Sequence, residues 1–128
     1  MNGERKNLRN FVNLTPTIRV ETYIPIRCEP AYQDSLTWVI KELTRIYGGC
    51  TINENVSGYY LSQSGEVLDD RVDVVYSDLS LNWNKLADRV EALGYCLKLK
   101  RFLIENLSEE EVLISAYPVS HVVAESSA

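Results

Sequence analysis

Gly48-Gly49-Cys50-Thr51, then Gly58-Tyr59-Tyr60-Leu61, a Ser62-Gln63-Ser64-Gly65 turn and Arg71-Val72-Asp73-Val74-Val75-Tyr76 make up the stretch on which the fold turns. Two runs rich in β-branched and aromatic residues flank a Ser-Gly turn, the pattern of a central β-hairpin. Asn53-Glu54-Asn55 predicts a bulge or wide bend in the first arm, and Gly58 a further irregularity or a close backbone approach. In the second arm Asp69-Asp70 is read as an interruption. From Arg71 the alternation puts Val72, Val74 and Tyr76 on one face and Arg71, Asp73, Val75 and Ser77 on the other.

Upstream, Leu36, Val39, Ile40, Leu43, Ile46 and Tyr47 fall on one helical stripe that begins after Glu29-Pro30 and ends at Gly48. Proline suits a first helical turn, and glycine accepts the left-handed conformation of a C-terminal cap. The Gly48-Gly49 pair therefore closes a helix and does not open one. It presents the negative end of the helix dipole, which argues against a phosphate loop. Before that helix, Ile18, Val20, Thr22, Ile24 and Ile26 alternate with Arg19, Glu21, Tyr23, Pro25 and Arg27, a strand with one buried face.

Downstream, Ser80 or Asn82 is the expected cap of a second helix with a stripe of Leu86, Val90, Leu93, Leu97 and Ile104, widened by Cys96, Leu99, Leu103 and Leu107. Gly94 costs such a helix about 1 kcal/mol against alanine. The alternative ends the helix there and makes residues 95–103 a strand. The continuous helix is preferred because its stripe is longer and its charges, Asp88 and Glu91 early, Lys98, Lys100 and Arg101 late, follow the macrodipole. Val112, Ile114 and Ala116, alternating with Leu113, Ser115 and Tyr117, form the last strand. Residues 1–16 read as an N-terminal arm, 17–122 as a single domain and 123–128 as a disordered tail.

Strand, helix, strand, strand, helix, strand is the split βαβ order, an α+β, ferredoxin-like βαββαβ fold with a four-stranded antiparallel sheet and both helices on one face. The segments Tyr23-Ile24-Pro25-Ile26, Trp38 to Thr44, Gly48 to Thr51, Gly58 to Ser62 and Glu109 to Ile114 resemble an uncharacterised family of small proteins associated with cyanobacterial genomes. Gly49-Cys50-Thr51, Gly58-Tyr59-Tyr60 and Ser64-Gly65-Glu66 are more faintly similar to a domain of unknown function with Gly-Leu-Thr, Gly-x-Trp and Asp-Gly motifs, from which Cys50 and Tyr60 depart. Neither resemblance implies an activity.

With 128 residues, 45% hydrophobic and 24% charged, the chain is large enough for one core without a covalent staple. A formal charge of −5 opposes nucleic acid. Three cysteines without a Cys-x-x-Cys pair predict reduced thiols, read as small buried hydrophobes, in a cytoplasmic protein. No apolar run has the length of a membrane span. Trp38 and Trp83 read as core or interface seals.

Function is then expected on the helix-free sheet face. Strand parity assigns to it Arg19, Glu21, Tyr23, Arg71, Asp73, Val75, Leu113 and Tyr117, with Tyr60 as the preferred member of the Tyr59-Tyr60 pair. A face this apolar and aromatic predicts a homo-oligomer, a dimer first, with room for a small-molecule ligand. A wetted face with cross-strand ion pairs is the plainer alternative. A small enzyme of the dimeric α+β-barrel kind, a monooxygenase or isomerase, is another, with His121, the sole histidine, Asp73 and the tyrosines as candidate acid-base groups. A base-stacking RNA-binding sheet is a third, but the chain lacks that module's basic, glycine-containing motif. No cofactor and no metal are expected: Asp69, Asp70 and Asp73 lack the glycine turn and terminal glutamate of a calcium loop.

Overall fold

The computed structural model describes residues 12–109 and 111–124. Six elements follow one another: β1 (Val12–Pro25), α1 (Pro30–Tyr47), β2 (Thr51–Leu61), β3 (Val67–Leu79), α2 (Leu86–Asn106) and β4 (Ile114–Ala124). The strands form one sheet in the order β2-β3-β1-β4, with every neighbouring pair antiparallel. This is the ferredoxin-like α+β arrangement expected from the sequence.

Local chemistry explains most boundaries. Proline opens α1, and Gly48 closes it at φ 86° with its N–H donating to the Thr44 carbonyl at 2.9 Å. The hairpin turns through Gly65, also at φ 86°, while the Glu66 N–H donates to the Ser62 hydroxyl at 3.0 Å. The register of β2 on β3 shifts between Asn53 and Val56, and Asn55 takes φ 54°, so the predicted bulge sits where asparagine tolerates the left-handed region. At Gly58 a Cβ would lie 3.3 Å from the Asp70 carbonyl oxygen, a close approach across the hairpin.

Four expectations change at the level of elements. β3 runs unbroken through Asp69 and Asp70 because Arg27 neutralises Asp70, at 2.7 and 3.1 Å, and backbone pairing with Gly58 and Tyr59 continues. β1 starts at Val12 and β4 ends at Ala124, so part of the supposed arm and tail is paired sheet; the rest of both, residues 1–11 and 125–128, lies outside the described residues. Lys85 occupies the N-cap of α2 without a side-chain cap. The Asn82 side chain instead accepts from the Asn84 N–H, and Asp88 reaches back to the Asn82 N–H.

The fourth change concerns α2. It is continuous through Gly94, as preferred, but turns a different face inward: Ala92, Leu99 and Leu103 are buried, whereas Leu86, Val90, Leu93, Leu97 and Ile104 are exposed. The aromatic packing with α1 fixes that rotation. Trp38 stacks on Phe102, with ring centroids 3.7 Å apart, and Tyr47 meets Tyr95 edge-on at 5.1 Å.

Helices cover one face of the sheet. Ile18, Val20 and Ile24 of β1 and Val75 and Leu79 of β3 are at most 1% exposed beneath them, together with Val39, Leu43, Leu99 and Leu103. Trp83 packs against the same core. Cys50 and Cys96 are partly buried and Cys28 is exposed, so only two of the three cysteines sit in packed surroundings. No described helix is long and apolar enough to cross a membrane.

Candidate functional site on the helix-free sheet face

Register dictates which side chains share the uncovered face. Arg19 pairs with Asp78 and Tyr117, Glu21 with Tyr76 and Ser115, and Tyr23 with Val74. Side chains directly opposite in a sheet point to the same side. The β3 contribution is therefore Val72, Val74, Tyr76 and Asp78. Arg71, Asp73 and Val75 belong to the other parity, which corrects their assignment to the open face.

Val75 is fully buried among Ile24, Leu43 and Leu103. Arg71 and Asp73 instead clamp the bulge: Arg71 donates to the Ser57 hydroxyl and the Asn55 carbonyl, and Asp73 accepts from the Asn55 N–H at 3.0 Å. In the run Val72-Asp73-Val74-Val75-Tyr76 both parities carry an apolar residue, so composition alone does not distinguish the faces. A clue lay in Arg19, a cation on a half-buried face that needs an anion directly opposite; Asp78 is that residue.

Tyr23, Tyr60, Leu113 and Tyr117 do lie on the helix-free side. Two zones divide it. At one end Tyr23, Pro25, Val56, Tyr60, Val72 and Leu113 line a groove of about 310 Å³. Tyr60 is 51% and Leu113 59% exposed, so the groove is rimmed by large apolar groups open to water.

The other zone is a linked set of charges and hydroxyls. Glu21 accepts from the Tyr23 hydroxyl at 2.8 Å and from the Tyr117 hydroxyl. Arg19 donates twice to Asp78, at 2.7 and 2.9 Å, and its guanidinium lies 4.3 Å from the centre of the Tyr76 ring. His121 completes the set with Nε2 2.6 Å from Asp78 Oδ2. The carboxylate only accepts, so Nε2 carries the proton and Nδ1 is the nitrogen left to exchange one.

These contacts set the electrostatics. Hydrogen bonding from Arg19, and next from His121, holds the Asp78 carboxyl below the usual carboxylate range against the effect of partial burial. Tyr23 and Tyr117 are both pushed above the ordinary tyrosine value, chiefly by donating to ionised Glu21. Both hydroxyls remain protonated donors at neutral pH, and Asp78 remains an anion.

The orienting partner of His121 was not visible in the sequence. The β1–β4 ribbon continues to Val12 and Ala124, beyond the last β1–β3 pair at Ile18 and Leu79. His121 belongs to that overhang, opposite Thr15, and reaches Asp78 across β1, a contact that strand spacing in the sequence does not reveal. Among the described residues no group of three or more His, Cys, Asp or Glu is placed to hold a metal ion.

Neither a protein-family model nor a curated protein matches this chain. Among solved structures, the crystal structure of CutA1 from Oryza sativa is similar in backbone, with a TM-score of 0.50 at 16% identity over 83% of this chain and 82% of that one. A likeness at that identity bears on the fold alone.

Proposed function

We propose that the chain assembles with itself through the helix-free sheet face, as a dimer, and that the groove beside Tyr60 and Leu113 takes a small apolar or aromatic molecule. One observation carries this reading: the charges on that face are already paired with one another, while the large apolar groups beside them are open. Burying unpaired charge costs several kcal/mol, and here most of that cost is met inside the monomer by the Arg19–Asp78 and Glu21–tyrosine contacts. Covering Tyr60 and Leu113, 51% and 59% exposed, then favours association through the hydrophobic effect. The kinship with uncharacterised small proteins of cyanobacterial genomes belongs to this proposal and adds no activity to it.

Sedimentation equilibrium tests the assembly. Leu113→Arg places a charge in the open apolar zone without touching the buried core, and it should weaken association while leaving the melting temperature within a few degrees of wild type. A wild-type chain that sediments as a monomer at micromolar concentration removes the reading.

A second reading has its own support in the 2.6 Å contact between His121 and Asp78. A histidine held by a carboxylate is a usable acid-base group. Any turnover found for this chain should then fall with His121→Ala and also with Asp78→Asn. Turnover insensitive to both leaves the contact a structural one.

A further inference from the structure

Gly58 leaves a gap in the helix-free face. Along β2 the residues on that face are Val56, Gly58 and Tyr60, opposite Val72, Asp70 and Leu68 of β3. Four strand residues separate the Cα atoms of Val56 and Tyr60 by about 13 Å, and no β2 side chain stands between them. The groove of about 310 Å³ lies over this gap, walled by Tyr23, Val56, Tyr60, Val72 and Leu113. It sits around Pro25, the last β1 residue to pair with β3, whereas β1 begins and β4 ends at the opposite end of the sheet, where Val12 pairs with Ala124.

Asp70 is the second observation. It lies on the same face and lines the groove beside Gly58, while from its other side the Arg27 guanidinium donates to its carboxylate at 2.7 and 3.1 Å. A carboxylate offers about four lone-pair positions, and Arg27 fills two. Arg27 also stands 3.2 Å from Glu109, so one cation faces two carboxylates and the group keeps a net negative charge. The other charged side chain of the lining, Glu111, is an acid too, paired with Lys100. The described lining thus holds carboxylates and tyrosine rings but no ammonium or guanidinium. An ammonium group is attracted by both, through charge-assisted hydrogen bonds and through the negative faces of the rings.

Resting on the reading of this groove as a small-molecule site, we infer that its ligand is a cation with a flat or slender apolar body, an aromatic or alkyl amine. The body lies over Gly58 between Val56 and Tyr60, and the ammonium donates to the free lone pairs of Asp70. A side chain at position 58 would stand in that gap, beginning from a Cβ 3.3 Å from the Asp70 carbonyl oxygen. A neutral ring gains the apolar walls and nothing from the carboxylate. An anion meets Asp70 and Glu111 and a chain of net charge −5.

Amide chemical-shift titration of the isotope-labelled full-length chain, at neutral pH and low salt, compares benzylammonium, benzyl alcohol and benzoate. Benzylammonium should move the amides of Gly58 and Val72 and bind about tenfold tighter than benzyl alcohol, with benzoate weaker than either. Asp70→Asn should bring benzylammonium down to the level of benzyl alcohol and leave benzyl alcohol unchanged; Arg27 keeps Glu109, so the fold should stand. Glu91→Gln removes the same charge from α2 and should change neither. Gly58→Ala should weaken both ligands. If none of the three probes moves those amides, the groove reading and this inference fall together. If benzyl alcohol or benzoate binds wild type as tightly as benzylammonium, the groove stands as a small-molecule site and the inference is overturned, a comparison that needs no variant to fold. A preference for benzylammonium that survives in Asp70→Asn, or binding unchanged in Gly58→Ala, overturns it as well.

Discussion

Thr22 is fully buried on β1 beneath the helices, and its hydroxyl has no hydrogen-bond partner. An unsatisfied buried hydroxyl costs about 1–3 kcal/mol, whereas a methyl group of similar shape does not. Thr22→Val should therefore stabilise the chain by about 1 kcal/mol, read as a higher urea midpoint at unchanged slope. A lower midpoint would mean that the hydroxyl has a partner in solution. Asp78 behaves in the opposite sense. Its carboxyl titrates lower in the folded chain than the ordinary 3.8, so its contribution is fully present above that value and is lost as pH falls through the depressed one. Asp78→Asn should flatten that part of the acid limb of the stability curve and cost about 1 kcal/mol or more at neutral pH by leaving Arg19 without its anion. An unchanged acid limb would show that the pair is too wet to matter.

Helix α2 shows why an element can be legible while its orientation is not. Its two apolar sectors, Leu86-Val90-Leu93-Leu97-Ile104 and Ala92-Leu99-Leu103 with Tyr95 and Phe102, are both plausible core faces, and the more periodic one points to water. What decided between them is the fit of Phe102 on Trp38 and of Tyr95 on Tyr47, a property of two helices together. Strand β3 repeats the lesson, since Val74 and Val75 offer either parity and the pairing of Arg19 with Asp78 resolves it. The Gly48 cap, the Gly65 turn and the βαββαβ order rest on local chemistry and could be read from the chain; the start of α2 after Lys85 and the open-face network, which rests on strand register, could not. The rotation of α2 is checked by a pair of truncations. Leu99→Ala, fully buried, should cost about 2–5 kcal/mol, and Leu97→Ala, 47% exposed, about 0.5 kcal/mol or less in the monomer. Equal costs by chemical denaturation would contradict the observed orientation.

Across the whole molecule, β1 is the strand that β3 and β4 both need. Its centre pairs with β3 on one side and β4 on the other, and Thr17 donates to the Val119 carbonyl 102 positions away in the chain. The same central strand supplies Arg19, Glu21 and Tyr23, so folding and the charge pairing of the open face depend on one register. If that face is buried between copies, its protonation should govern assembly at both ends of the pH scale. Tyr23 and Tyr117 titrate above 10.0 when folded, so the stability they lend is complete below that value and is lost as pH rises through the raised one, when each phenolate would lie against Glu21. At the acid end, protonation of Asp78 would leave the Arg19 charge unpaired within the interface. The mass in sedimentation should hold from the ordinary carboxylate value of 3.8 to the ordinary tyrosine value of 10.0 and fall beyond either end. On the alkaline side it should fall along with the rise in tyrosinate absorbance and before helical circular dichroism is lost. A full assembly that persists after those tyrosines have ionised would show that they lie outside the contact, and would move the self-association surface away from the Glu21 end of the sheet.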